Sequence, residues 1–105
     1  MIEQWREYKN DRFPNYEVSN FGRIRNKFSK NIVSLYTSHF GYSIVRLHMG
    51  QDKKDYRVHR IVMETFTPNP HNYTDVNHID GNKLNNHISN LEWCDRGHNI
   101  QHAYD

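Results

Sequence analysis

Between residues 76 and 102 the sequence VNHIDGNKLNNHISNLEWCDRGHNIQH gathers Asn and His side chains around one Asp80-Gly81 pair and one short apolar segment, Leu91 to Cys94. An Asp-Gly pair signals a tight turn, because both residues tolerate the positive φ that hairpin turns demand. Asp75 to Ile79 therefore predicts one short strand and Asn90 to Cys94 a second. Asp95 then stands where a helix N-cap belongs. Ile100 and Ala103 or Tyr104 are spaced to face inward, with Asn99 and His102 about one turn apart. The expected product is a strand, loop, strand, helix unit that brings Asn77, His78, Asn90 and Asn99 within reach of one another.

Upstream, the pattern is mostly that of strands. Ile2, Trp5 and Tyr8 recur at a spacing of three, which predicts a short helical turn capping the sheet. Tyr16, Val18 and Ile24 then alternate with polar neighbours around Ser19-Asn20-Phe21-Gly22, the pattern of a hairpin. Ile32 to Tyr36, Tyr42 to His48 and Asp55 to Val58 are further candidate strands, with a turn over Met49 to Lys53, and together they predict an antiparallel sheet with one face open. At His59 the period turns helical: Ile61, Val62, Thr65 and Phe66 share a face, and Pro68 and Pro70 end the helix. The fold class is thus α+β: an N-terminal antiparallel sheet, a short helix, then a C-terminal ββα unit. Residues 1–58 form the basic sheet segment and 59–105 the site segment of one compact domain, with no internal repeat and no linker between them.

With 105 residues and 35% hydrophobic content, only a modest core is available. The single cysteine, Cys94, excludes an internal disulfide and a four-cysteine zinc site. No run approaches the ~20 apolar residues of a membrane span, and the polar start MIEQWREYKN does not read as a signal peptide, so an intracellular protein is expected. Charge is unevenly spread. Residues 21–60 hold nine Lys or Arg against two acids, a balance of +7, whereas residues 61–105 hold two against six, a balance of −4. A basic segment that grips phosphate, beside a site segment of lower charge, is one reading of that asymmetry; solvated strand faces are the other.

The Asn77-His78 pair, Asn90 and Asn99 together resemble the HNH nuclease motif in its ββα-metal form. Asn77-His78 stands at the first H, Asn90 at the middle N and Asn99 at the last H. Val58-His59-Arg60-Ile61-Val62 and Phe66-Thr67-Pro68-Asn69-Pro70 match the lead-in of phage and intron HNH homing endonucleases. Trp5 with Tyr16 to Arg25 resembles the N-terminal module common in that family. The resemblance runs over nearly the whole chain, and it implies hydrolysis of DNA phosphodiester bonds, leaving 5′-phosphate and 3′-hydroxyl ends; the single Asn77-His78 pair predicts that one bound chain cuts one strand. The resemblance also implies DNA as the partner and a bacterial or phage-infected cell as the setting.

By that resemblance His78 is the general base, since an imidazole with an ordinary pKa near ~6.5 is neutral at working pH and can take a proton from water. Asn90 is the candidate to hold its other ring nitrogen. Asn77 and Asn99 are implied as ligands of a divalent metal, Mg²⁺ with Mn²⁺ able to substitute, because amide oxygens suit a hard ion. Two neutral ligands bind free metal weakly, so a DNA phosphate is expected to complete the site. His98 and His102, four apart, offer a zinc alternative with His78 as a third ligand.

Arg23, Arg25 and Lys27 alternate along one strand, where Arg46 and Arg57 can join them to contact DNA, and His59-Arg60 can contact phosphate or close the helix onto the sheet. The rival readings are a DNA-binding module without catalysis and a zinc-stabilised interaction domain. Longer relatives add DNA-reading elements after the HNH unit, so a protein partner is a further expected source of specificity. With no heptad run, a monomer is expected rather than a dimer.

Overall fold

The computed structural model describes residues 1–95. Strands β1 (Trp5–Glu7), β2 (Tyr16–Ser19) and β3 (Ile24–Asn26) form one antiparallel sheet in that order. β4 (Tyr36–Thr37), β5 (Ser43–Met49) and β6 (Asp52–Arg57) form a second. Helix α1 (Val58–Phe66) follows, and then a hairpin of β7 (Asp75–His78) and β8 (Leu91–Cys94), with a 3₁₀ turn at Ile88–Asn90 leading into β8. Antiparallel sheets around one helix confirm the α+β class.

α1 is the centre of the packing and touches strands of all three sheets. Val58, Ile61 and Val62 recur at i, i+3 and i+4 and are buried together with His59 and Met63. They meet Phe13 from the β1–β2 connection, Val18 from the first sheet, Val45 and Leu47 from the second, and Val76 and Leu91 from the hairpin. Full burial of each large aliphatic here contributes about 1.5–3 kcal/mol. The helix ends where Thr67, held extended by the following Pro68, can no longer continue it.

Three expectations need correction. Trp5 lies in a strand, not a helical turn: Trp5 pairs with Ser19 and Glu7 with Glu17, and the Asn20 side chain accepts the Gln4 amide at 2.8 Å. A helix this short gains too little from its own hydrogen bonds to compete with an available sheet edge. The segment Ile32 to Tyr36 is not one strand but is split between sheets, Ile32 bridging Arg25 and Tyr36 pairing with Ile44. The antiparallel strands accordingly make two sheets rather than one. The turn after β5 is also tighter than expected, since Met49 still pairs with Asp52 and only Gly50 and Gln51 remain outside the ladder.

Candidate active site

Strand pleating decides what the hairpin presents. In β7, Val76 and His78 point into the core while Asp75 and Asn77 are half-exposed on the other face. Asn77 stands opposite Glu92 in the β7–β8 register, and its amide nitrogen donates to Glu92 Oε1 at 2.9 Å. Its amide oxygen is thereby turned away from the carboxylate. The adjacent Asn77 and His78 thus serve opposite faces of a two-stranded ribbon.

The loop from 79 to 90 is held by neutral amides around one carboxylate. Asp80 Oδ1 accepts from the Asn82 backbone amide at 2.7 Å and from Asn90 Nδ2 at 2.9 Å, and Asp80 Oδ2 accepts from Asn85 Nδ2 at 2.9 Å. The side chain of Asn85, the Asn82 backbone amide and the side chain of Asn90 together hold the Asp80 carboxyl below its ordinary value. Asn90 also accepts the Asp80 amide at 3.0 Å and donates to the Asn85 carbonyl at 2.9 Å. Gly81, at φ +76°, closes the turn by donating its amide to His78 O at 2.9 Å.

Asn90 is therefore a strut of the loop, and the expectation that it holds the ring of His78 is corrected. Asn86 does so: its Oδ1 lies 2.8 Å from His78 Nε2, both residues being buried. An amide oxygen can only accept, so Nε2 carries the proton and the lone pair of the neutral ring sits on Nδ1.

Above the ring of His78 lies His59, with centroids 4.9 Å apart, and Tyr42 stacks on His59 at 5.2 Å. His59 is only 5% exposed, so its expected contact with phosphate gives way to a place in the core beside His78. Burial, followed by the nearby His78, Arg57 and Arg60, lowers its pKa to about 3. Two cations flank Tyr42, Arg57 at 4.2 Å and Lys83 at 4.7 Å from the ring centre. Among the described residues neither has a carboxylate partner.

Four of the other expected DNA contacts are paired with carboxylates. Arg23 meets Glu3, Arg25 meets Glu17 at 2.8 Å, Lys27 meets Glu7 at 3.6 Å and Arg46 meets Asp55 at 2.7 Å. Arg23 and Arg25 do share a face, both lying over the Trp5 ring. Arg46 belongs to the second sheet. Arg60 donates to the Thr74 carbonyl at 2.7 Å.

Among the described residues no group of three or more His, Cys, Asp or Glu could hold a metal ion. The half-exposed Asn77 amide oxygen is a hard donor of the kind that suits Mg²⁺ with its retained waters. Asn99, His98 and His102 lie outside the described residues, as does the helix expected after Asp95. The buried thiol of Cys94 is pushed up to about 11 by desolvation and the carboxylates near it, which makes it a poor metal ligand.

Sequence reasoning missed Asn86, Lys83, Tyr42 and Glu92. None of the four had a local signal: a two-residue turn at Asp80-Gly81 would set Asn77 opposite Leu84, and Glu92 comes opposite it only because the whole of 79–90 is loop.

The hairpin with its adjacent Asn-His pair lies in a part of the chain that belongs to the HNH endonuclease family. Residues 56–101 match the model described as HNH endonuclease, and residues 3–48 match the NUMOD4 motif. An uncharacterized HNH endonuclease of Acanthamoeba polyphaga mimivirus is 44% identical over 98% of this chain and 30% of its own length. The DNA endonuclease I-HmuI of Bacillus phage SP01 is 31% identical over 93% of this chain and 56% of its own. A solved structure, described as DNA binding and cleavage by the HNH homing endonuclease I-HmuI, matches with a TM-score of 0.83 at 29% identity, over 96% of this chain and 57% of that one. The chain thus spans between 30% and 57% of the length of these relatives. Among the described residues no helix is long and apolar enough to cross a membrane.

Proposed function

We propose that the chain is a metal-dependent DNA endonuclease in which His78 is the general base. The observation that carries this is the bond from His78 Nε2 to Asn86 Oδ1, which leaves Nδ1 as the basic nitrogen of a ring fixed in one orientation. Nδ1 takes a proton from a water that attacks the phosphorus in line, and the products carry 5′-phosphate and 3′-hydroxyl ends. Arg57 and Lys83, the two cations beside Tyr42, take the scissile phosphate or its neighbour. Asn77 holds a divalent ion, Mg²⁺ or Mn²⁺, together with Asn99. When bound, that ion supplies charge stabilisation to the pentacovalent transition state and to the leaving 3′-oxygen.

DNA is the partner, and the two sheets within residues 1–58 supply binding while residues 59–105 supply chemistry. Arg23, Arg25 and Lys27 exchange their carboxylate partners for phosphates. Such exposed pairs are worth only about 0–1 kcal/mol each, so the exchange is inexpensive. One chain carries one Asn77-His78 pair and cuts one strand per binding event as a monomer.

The test is a time course on supercoiled plasmid. Mg²⁺ should give a nicked circle first, and EDTA should abolish cutting. Linear product without a nicked precursor would contradict single-strand action, and DNA binding with no cutting in Mg²⁺ or Mn²⁺ would favour a binding module.

A further inference from the structure

We infer that Asn86 is a positioning residue for His78, and that the Asn20-Phe21-Gly22 turn between β2 and β3 is the seat that holds Asn86 in place. The inference rests on the role proposed for His78 and deepens it: the N-terminal sheet contributes to catalysis through the site loop as well as through DNA.

Asn86 lies in irregular backbone between the Asp-Gly turn and the 3₁₀ turn, so no ladder of hydrogen bonds fixes it. Its surroundings do. Gly22, at φ +88°, lies so close that a Cβ there would sit 2.9 Å from both the Cβ and the carbonyl oxygen of Asn86. Glycine alone allows both that backbone conformation and that approach. The next residue, His87, stacks on Phe21 with centroids 4.9 Å apart, and the Ile88 amide donates to the Asn20 carbonyl at 2.9 Å. Asn20 is itself anchored, accepting the Gln4 amide at 2.8 Å and donating to the Ile2 carbonyl at 3.2 Å. Three consecutive residues of the turn thus meet three consecutive residues of the loop. The first of these, Asn86, aims its amide oxygen at the buried ring N–H of His78.

The inference requires that the acceptor at position 86 matters more than its shape. Asn86→Leu keeps the branching at Cγ, in a larger side chain, and removes the acceptor; Asn86→Asp keeps an acceptor and buries a charge. Both are compared in the full chain by plasmid cleavage and DNA affinity. They are also compared by long-range ¹H–¹⁵N spectra of the histidine rings, at a pH about two units above the ordinary imidazole value. In the parent and in Asn86→Asp, His78 should show a hydrogen-bonded, slowly exchanging Nε2 proton, and Asn86→Asp should keep most of the rate. Asn86→Leu should lose that signal and roughly 10- to 100-fold in kcat, the range seen for outer partners of functional histidines, with DNA affinity unchanged.

Gly22→Ala should reproduce the Asn86→Leu defect. The reverse order, Asn86→Leu active and Asn86→Asp inactive, is what a merely structural asparagine predicts and would overturn the inference. Should the variants fail to fold, the parent spectrum decides, because a His78 proton on Nδ1 contradicts the assignment outright. His78→Ala serves as the control. If it cuts at the parental rate, the base assignment falls and takes the inference with it; if it is inactive while Asn86→Leu keeps rate and spectrum, the positioning inference alone falls.

Discussion

The first sheet and the site loop hold their polar groups in opposite ways. On the β1–β3 sheet, charged side chains pair across strands at the surface: Arg23 is about half exposed against Glu3, and Lys30 shares Glu17 with Arg25. In the 79–90 loop the Asp80 carboxylate is held by neutral amides, with Asn86 and Asn90 both buried and engaged. Surface ion pairs are weak, screened by salt and readily re-partnered, whereas buried amide bonds are costly to break and indifferent to pH near neutrality. The first arrangement suits a surface that trades carboxylates for phosphates. The second suits a scaffold that must hold one imidazole still.

The largest effect should come from breaking the loop. Asn90→Ala removes the bonds to the Asp80 amide, the Asp80 carboxylate and the Asn85 carbonyl, at a cost of about 0.5–1.5 kcal/mol for each bond lost. A melting temperature lowered by less than a few degrees would show that the loop is not the rigid region.

The sheet should respond through DNA instead. With Arg23, Arg25 and Lys27 all replaced by Ala, melting should change little, while the slope of log affinity against log salt falls by about one for each phosphate that is no longer neutralised. Unchanged affinity and slope would place the gripping surface elsewhere, with Arg57 and Lys83 the next residues to replace.

A smaller and more local effect concerns acid. His59 has its folded pKa lowered from 6.5 to about 3, chiefly by burial, so the unfolded chain binds a proton there that the folded chain refuses. Its contribution to stability is full above pH 6.5 and is lost as pH falls toward 3. Denaturant titrations of the parent and of His59→Phe across that window should show a shallower pH slope in the variant. Equal slopes would mean that His59 takes up its proton in the folded state.

How much of this could be read from the residues depended on sequence distance. The β2–β3 hairpin with Val18 opposite Ile24, the α1 face of Val58, Ile61 and Val62, and the two short strands β7 and β8 rest on local periods and turn chemistry, and they were legible. The fate of the basic residues was not. Counting charge over residues 21–60 leaves out Glu3, Glu7 and Glu17, which strand pairing brings alongside Arg23, Arg25 and Lys27. Asn90 drew attention because of its place in a motif, but its amide is fully used by Asp80 and Asn85. Asn86 reaches His78 through eight residues of aperiodic chain, and no pattern in Lys83-Leu84-Asn85-Asn86 marks which amide will point inward.

The central claim is that His78 is the base and that DNA binding is carried by other residues. It is tested most directly by single-turnover cleavage of supercoiled plasmid by the parent and His78→Ala in Mg²⁺, with affinity for the same DNA measured in parallel. The account predicts a loss of about 10²–10⁴ in rate with affinity nearly unchanged. Cleavage by His78→Ala at the parental rate, in a preparation free of other nucleases, would contradict it.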